Sequence, residues 1–216
     1  MSTIKIGLRY IDKWNTSLEK EVVRYEEENA EKGQIVFYGP SYFTRWSARY
    51  GNVELRDVIL GKSGAKCCVN RGFGSSCPEH QLYYYPRMVR ALEPSALVYG
   101  AGFGNGASFG YTPEEMLFMA ERVVAYARED FPDMPIYLYV EGKKRHAGNP
   151  DRIKCIEGFE KLADEIPNCK LLDPDTYPEL LREDIYIEDK VHYNAEGFRI
   201  FGEFFKETLR EELDRF

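Results

Sequence analysis

The sequence predicts an α/β fold, a three-layer α/β/α arrangement built on a parallel sheet of about five strands. Short apolar runs rich in β-branched and aromatic residues recur along the chain, each of a length typical of a buried strand. Segments with apolar residues at helical spacing lie between these runs, and strands that alternate with helices form parallel sheets covered on both faces. Because no repeat or low-complexity linker interrupts the sequence, we expect residues 1–216 to form a single domain.

Five runs have the composition of strands. The first joins Ile35, Val36 and Phe37 to Tyr38, and Gly39 and Pro40 then end it. A continuous apolar run of this kind is typical of a strand that is buried on both faces. The predicted strands span residues 34–38, 65–70, 95–99, 135–140 and 170–173, the last being the shortest.

Helical patterns occupy the gaps between these strands. Thr112 is followed by Pro113 and two glutamates, which marks a helix start, since threonine caps a helix and proline suits its first turn. Gly33 is a stop of the first helix, and Asn194 can cap the last one. The predicted helices span residues 16–32, 78–92, 112–128 and 151–165, and a last helix extends from Asn194 to Leu213.

The charge balance and the distribution of apolar residues exclude several classes of protein. The chain carries 29 basic and 36 acidic residues, a formal net charge of −7, and has no basic patch dense enough to bind nucleic acid. No apolar run approaches the roughly 20 residues that span a bilayer, and no apolar leader follows Met1. We therefore expect a cytoplasmic protein without a transmembrane segment or a nucleic-acid partner.

Cysteine and histidine residues are few and scattered. The five cysteines include the neighbours Cys67 and Cys68, which are poorly placed to pair with each other, and no Cys-x-x-Cys motif occurs. In a reducing compartment we expect them to be buried apolar residues or free thiols. With three histidines, no ligand cluster and no convincing phosphate loop, the sequence predicts neither a metal site nor an organic cofactor.

Polar and glycine-rich segments follow three of the predicted strands and precede the last helix. Ser41 follows the first strand, and Ser75 and Asn105 lie in the glycine-rich segments after the second and third strands. Asp189 and His192 lie three residues apart, just before the last helix. Ligand sites of parallel sheets lie beyond the carboxyl ends of the strands, so we expect these groups to meet at one edge of the sheet.

These segments together resemble the SGNH (GDSL-type) esterases and acylhydrolases, over residues 34 to about 205. The resemblance implies the flavodoxin-like fold of the SGNH hydrolases and a catalytic triad. By position, Ser41 would be the nucleophile, His192 the base, and Asp189 the residue that orients the histidine. The best-matched segments are residues 35–41, 69–76 and 189–198.

The resemblance also implies an oxyanion hole made by the backbone amides of Ser41 and Ser75 and the side-chain amide of Asn105. The sequence departs from the family pattern near each of these donors. Pro40 stands where aspartate is usual, Ser75 where glycine is usual, and residues 102–106 distort the usual Gly-x-Asn-Asp segment. Asn105 has an alternative role, because asparagine in a turn often stabilises the loop through local backbone hydrogen bonds.

The three predicted triad residues form a coherent set for ester hydrolysis. A serine hydroxyl is a poor nucleophile until a base accepts its proton, and histidine can take that proton and return it to the leaving group. Asp189 can share a turn with His192 and hold the imidazole in one tautomer. The sequence therefore predicts a serine esterase that forms an acyl-enzyme on a small-molecule ester, with a short-chain acyl group or an acetylated carbohydrate favoured.

Two other functions stay open on the sequence. The departures in the oxyanion segments are compatible with a non-catalytic binding protein that has the same fold and a degraded oxyanion hole. The glycines within residues 100–104 suggest a nucleotide-binding domain, but Asn105 stands where the dinucleotide motif needs its third glycine. The next helix is also expected only near Thr112, too late to hold a phosphate. Arg145, after the fourth strand, is either a solvated loop charge or a residue near the site.

Overall fold

The computed structural model describes the backbone of residues 9–216 and the side chains from residue 17 onward. The described strands are Ile35–Gly39 (β1), Cys68–Gly72 (β2), Ala96–Gly100 (β3), Ile136–Tyr139 (β4) and Cys169–Leu172 (β5). They form one sheet in the order β2-β1-β3-β4-β5, and every neighbouring pair is parallel. The predicted α/β class with a five-stranded parallel sheet is confirmed.

Helices cover both faces of this sheet. The described α-helices are Arg9–Glu27 (α1), Ser41–Thr44 (α2), Leu55–Val58 (α3), Pro78–Met88 (α4), Phe103–Ser108 (α5), Pro113–Asp130 (α6), Pro150–Glu165 (α7), Ala195–Thr208 (α8) and Arg210–Leu213 (α9). Short 3-10 helices occupy Ala48–Tyr50, Arg90–Leu92, Lys144–His146, Pro174–Thr176 and Pro178–Leu181. Within the described part of the chain, every helix is too short or too polar to cross a membrane.

The alternation of side chains along the strands produces two apolar cores, one on each face of the sheet. Val36 and Tyr38 of β1 belong to the core formed with α1, α4, α6 and α7. Ile35 and Phe37 of the same strand belong to the opposite core, which is formed with α2, α3, α8 and α9. All four side chains are completely buried, as expected for a strand that runs between two helical layers.

Two predicted elements are displaced along the sequence, whereas the other four strands lie within one residue of their predicted bounds. β2 begins three residues late, because Lys66 pairs antiparallel with Leu60 and the chain completes this turn before it enters the sheet. The first helix spans Arg9–Glu27 instead of residues 16–32. It ends early because Asn29 adopts a left-handed backbone, with φ +47°, which a helix cannot continue.

Two short helices next to strand ends are absent from the sequence prediction. α2 begins at Ser41 itself, and α5 begins at Phe103, directly after β3. The expectation that the next helix starts only near Thr112 was therefore wrong. α5 contains two glycines and has weak helix propensity, so tertiary contacts stabilise it. Gly106 packs so closely on Met116 of α6 that an added Cβ would lie 2.3 Å from the sulfur atom.

Two long predicted helices are each divided near their carboxyl ends. The segment predicted as residues 78–92 forms α4 and then the 3-10 helix Arg90–Leu92, since Pro86 lacks the N–H that an α-helix needs and Val89 leaves helical geometry. The last helix is interrupted at Leu209, between α8 and α9. The Thr208 hydroxyl donates to the Phe204 carbonyl at 2.9 Å, a contact that often bends helices.

Candidate active site

Ser41, His192 and Asp189 lie together at the edge of the sheet where β1 ends. Ser41 is the first residue of α2, and its Oγ lies 2.9 Å from Nε2 of His192. The other ring nitrogen, Nδ1, lies 2.6 Å from Oδ2 of Asp189. When Nδ1–H donates to the carboxylate, the neutral ring leaves Nε2 without a proton, ready to accept the one on Ser41. The structure thus brings together the three residues that the resemblance identified as the triad.

A tight turn sets the relative position of Asp189 and His192. Oδ1 of Asp189 accepts the backbone N–H groups of Val191 and His192, both at 2.9 Å. Lys190, which directly follows Asp189, adopts a left-handed backbone with φ +57°, and its N–H donates to the Ile187 carbonyl. The hydrogen bond with the His192 ring, assisted by the two backbone amides, holds the pKa of Asp189 well below its ordinary value. Asp189 is therefore a carboxylate throughout the neutral range.

The start of α8 anchors this turn to the core. Asn194 caps the helix as predicted, since its Oδ1 accepts the Gly197 N–H at 2.9 Å. Tyr193, adjacent to His192, packs against the rings of Phe198 and Phe201 of α8, at centroid distances of 5.8 and 5.0 Å. The hydrogen bond of Asn194 and the ring packing of Tyr193 therefore hold in place the segment that carries the imidazole of His192.

The backbone amides of Ser41 and Ser75 are unpaired donors. Within residues 9–216, neither N–H has a hydrogen-bond acceptor. Ser75 has a left-handed backbone, with φ +63°. The side chain of Asn70 fixes this loop against α2, because it donates to the Phe43 carbonyl at 2.8 Å and accepts the Gly72 N–H at 2.9 Å.

Asn105 makes a bridge between two of the loops at this edge. Its Nδ2 donates to the Ser76 carbonyl at 2.8 Å, so α5 is tied to the segment that contains Ser75. Asn105 does not line the cavity that contains Ser41. This contact favours the loop-stabilising alternative for Asn105, and a direct hydrogen bond to an oxyanion stays a prediction.

Tyr42 is a site residue that the sequence analysis did not identify. Its hydroxyl packs so closely on Gly100 that an added Cβ would lie 1.8 Å from the oxygen, and the Gly102 N–H donates to it. Its ring meets Tyr139 edge-on at 5.1 Å. Burial raises the pKa of Tyr42 well above its ordinary value, so the hydroxyl stays neutral. Its position directly after the predicted nucleophile was the available sequence signal.

Two cavities adjoin the serine. A small one, of about 40 Å³, is lined by Ser41 and His192, and a larger one, of about 620 Å³, lies beside it. The two cavities have four lining residues in common, Glu141, Arg145, Tyr186 and Tyr193. Arg145 therefore lies beside the site, one of its two predicted placements, and its side chain is also exposed to solvent, as the other placement expected. Glu141 and Tyr186 come from segments that contain no motif, whereas Tyr193 lies in the matched segment 189–198.

The remaining predicted site features concern metals and thiols. In the described part of the chain, no group of three or more His, Cys, Asp or Glu side chains is placed to hold a metal ion. The five cysteines are free thiols, and Cys169 is the one that is half-buried whereas the others are buried.

The fold places this site in a known structural class. A GDSL-like lipase from Bacteroides thetaiotaomicron superposes with a TM-score of 0.66 at 17% identity, over 88% of this chain and 98% of the lipase. AlinE4, an SGNH-hydrolase family esterase, superposes with a TM-score of 0.57 at 19% identity, over 85% of this chain and 98% of the esterase. The chain therefore has the fold of the SGNH and GDSL-like hydrolases, as its sequence predicts.

A third solved structure with this fold belongs to an esterase whose name specifies an acetylated carbohydrate. It is a mutant of an acetyl-xylooligosaccharide esterase from Geobacillus, with a TM-score of 0.61 at 13% identity, over 82% of this chain and 94% of that esterase. No protein-family profile matches the chain. No curated protein sequence matches it either.

Proposed function

We propose that this protein hydrolyses carboxylic esters with Ser41 as the nucleophile. The observation that carries the proposal is the continuous hydrogen-bonded series from Ser41 Oγ through the His192 ring to the Asp189 carboxylate, with contacts of 2.9 and 2.6 Å. The fold shared with GDSL-like lipases and SGNH-hydrolase esterases supports the same function. The same arrangement of groups activates serine in unrelated hydrolase folds.

The proposed reaction has two halves that use the same base. Nε2 of His192 takes the Ser41 proton as Oγ attacks the ester carbonyl, and the imidazolium then gives that proton to the leaving alcohol. The acyl group stays on Ser41 until water attacks it, with His192 again accepting and returning a proton. Asp189, held ionised, stabilises the imidazolium and keeps the ring in the productive tautomer. No step requires a metal or an organic cofactor.

The proposed oxyanion hole uses the amides of Ser41 and Ser75. Both N–H groups lack a protein acceptor in the described chain, that of Ser41 at the start of α2 and that of Ser75 in the loop after β2. A backbone donor needs no particular side chain, so the serine in place of glycine does not remove it. Each such donor contributes roughly 100- to 1,000-fold to turnover in hydrolases of this mechanism.

The proposed substrate is a small-molecule ester with a short acyl group. The cavity at Ser41 has a volume of about 40 Å³, which favours an acyl group the size of acetyl over a long chain. The larger cavity of about 620 Å³ then has room for the alcohol portion. Acetylated carbohydrate is the favoured class, since the acetyl-xylooligosaccharide esterase from Geobacillus has this fold.

Replacement of the nucleophile tests this function. We expect Ser41→Ala to lower turnover of para-nitrophenyl acetate by roughly 1,000-fold or more, because only binding and oxyanion contacts remain. A fluorophosphonate probe should label the wild-type protein on Ser41 and leave the variant unlabelled. Mass spectrometry of the peptides identifies the labelled residue without knowledge of the natural substrate.

Ser63→Ala is a matched control, because Ser63 is an exposed loop serine outside both cavities. It should keep wild-type turnover and labelling. If Ser41→Ala retains more than about a tenth of the activity with an unchanged melting temperature, another residue is the nucleophile. A folded wild-type protein that neither turns over the ester nor reacts with the probe would instead favour the binding-protein alternative.

A further inference from the structure

The larger cavity beside the triad is rich in cationic side chains. Lys144, Arg145, Arg182 and Lys190 line it, and we name this space the basic cleft. The protein as a whole carries a net charge of −7, so a concentration of cations at this place contrasts with the rest of the chain. Such a concave charged surface raises the local concentration of ligands of opposite charge.

Arg145 is held in place at the junction of the basic cleft and the cavity of Ser41. Its guanidinium lies 4.0 Å from the ring centre of Tyr186, and its Nη2 donates to the Lys190 carbonyl at 2.5 Å. Tyr186 is in turn stacked on Tyr193 at 5.0 Å. These contacts fix the guanidinium plane and leave most of its five N–H donors free. A fixed planar fork of this kind matches the two oxygens of a carboxylate or phosphate.

The carboxylates of the basic cleft do not neutralise Arg145. Glu141, which lines both cavities, is paired with Arg152 at 2.9 Å. Asp175 is directed towards the neighbouring segment 142–144, where its Oδ2 accepts the backbone N–H of Lys144 at 2.8 Å and its Oδ1 is buried. Glu183 is the other lining carboxylate, and it is exposed.

One of the four cations of the basic cleft has an ionic partner, since Arg182 pairs with Asp184 at 2.7 Å. The other three do not form an ion pair within the described chain. In the described chain, no carboxylate oxygen lies within 4.0 Å of a charged nitrogen of Lys144, Arg145 or Lys190. An anion placed here would therefore gain new ionic contacts without the loss of existing ones.

We propose that the ester substrate carries an anionic group, a carboxylate or a phosphate, that binds the guanidinium of Arg145 while the ester carbonyl lies at Ser41. The inference rests on the proposed function and specifies the chemistry of its substrate. Arg145 acts here as a specificity residue, and Lys190, which lies in the turn between Asp189 and His192, adds to the attraction. Charged hydrogen bonds at a partly exposed site are worth about 1 kcal/mol, so a preference of roughly 5-fold or more is expected.

The test compares acetate esters that differ in charge. The probes are para-acetoxybenzoate, its neutral near-isostere para-acetoxybenzamide, and para-acetoxyphenyl phosphate. Each kcat/KM is divided by the rate of uncatalysed hydroxide hydrolysis, which removes the different intrinsic reactivity of the esters. We expect at least one anionic ester to exceed the benzamide by roughly 5-fold or more, and the better anion identifies a carboxylate or a phosphate as the group recognised. A rise in ionic strength from about 0.05 to 0.5 M should reduce that preference through screening.

Two variants assign the preference to the cleft. Arg145→Gln should remove most of the preference of kcat/KM for the anionic over the neutral ester, and Lys190→Gln should remove a smaller part. Loss of the Arg145 contact with Lys190 can also slow turnover of every ester, but a structural role of that kind leaves the ratio unchanged. Arg122→Gln is the matched control, because Arg122 is exposed on α6 and lines neither cavity. It should keep the wild-type ratio.

The outcomes separate the inference from the function on which it rests. If the wild type hydrolyses all three esters and labels at Ser41 but shows no corrected preference for an anion, the anion inference is wrong and the esterase function stands. A preference that persists unchanged in folded Arg145→Gln would also overturn it. Failure of all three esters together with failure of the phosphonate probe would overturn the esterase function, and the inference with it.

Discussion

Ser75 shows how a departure from a family pattern can leave the backbone conformation unchanged. Its φ of +63° lies in the left-handed region, which glycine enters freely and other residues enter at a cost of roughly 1 kcal/mol. The resemblance places glycine at this position, and the conformation gives the physical reason. Because Ser75 keeps that conformation, its amide keeps the direction that a glycine amide would have. The substitution costs stability and preserves the donor.

Asn105 is the residue for which sequence and structure suggest different roles. Since its Nδ2 donates to Ser76, we expect Asn105→Ala to lower the free energy of unfolding by about 1 kcal/mol, as for loss of one partly buried hydrogen bond. Turnover should fall less than 100-fold, through displacement of the loop that carries the Ser75 amide. Chemical denaturation and steady-state kinetics on one preparation measure both quantities.

The opposite pair of results would assign Asn105 to the oxyanion hole. Removal of a direct oxyanion donor lowers turnover by roughly 100- to 1,000-fold with little change in the Michaelis constant or in stability. Ser108→Ala is a useful comparison on the same short helix, because Ser108 is exposed and its hydroxyl donates to the Gly104 carbonyl within that helix at 3.0 Å. That variant should leave turnover near the wild-type value.

At the scale of elements, α8 connects the core to the histidine. Its apolar face carries Phe201, which is completely buried and packs against Phe205, Trp46 and Tyr193 at centroid distances of 4.6, 5.3 and 5.0 Å. Tyr193 precedes the helix and follows His192 directly. Packing of the helix face therefore determines where the imidazole lies.

Phe201→Ala should destabilise the protein by about 3–5 kcal/mol, because it removes a large buried ring and leaves a cavity between α8 and the sheet. Urea denaturation monitored by circular dichroism measures the change. Phe118→Ala is the matched control, since that ring is 58% exposed on α6, and it should alter stability by less than about 0.5 kcal/mol. Equal effects of the two variants would contradict the assignment of Phe201 to the packed core under α8.

At the scale of the whole molecule, paired carboxylates make stability depend on pH. Several carboxyl groups have a pKa below the ordinary value, in each case chiefly because of a hydrogen bond from a basic side chain. These are Glu26, Glu114, Asp184, Asp189 and Glu196. Burial raises the pKa of Glu79 and Asp173, which act in the opposite direction. The lowered groups are the more numerous.

A lowered pKa in the folded state stabilises the protein above the unfolded pKa of about 4, and this contribution is lost as the pH falls through the folded value. We therefore expect the free energy of unfolding to decrease between about pH 5 and pH 2. In Asp189→Asn, the loss of stability relative to wild type should be present near neutral pH and should become smaller as the pH falls below about 4. Urea denaturation across this range checks both points, and a stability that rises on acidification would refute the assignment.

Local sequence patterns determined the elements and the chemical groups of this protein. The apolar runs located the five strands, four of them within one residue, because a strand buried on both faces must be apolar along its length. Resemblance at three segments identified Ser41, Asp189 and His192 as a set. These properties depend on neighbouring residues, so they can be predicted without the fold.

Only the tertiary structure decided the sheet order, the helix α5, and the contacts of Asn105 and Arg145. Ser41 and His192 are 151 residues apart in the sequence, yet they lie 2.9 Å apart once β1 and α8 are packed. Asn105 reaches Ser76 across 29 residues, and Arg145 reaches Tyr186 from another loop. Such contacts depend on how whole elements pack, so the helix and strand propensities of neighbouring residues cannot predict them. The basic cleft therefore became visible only in the folded chain.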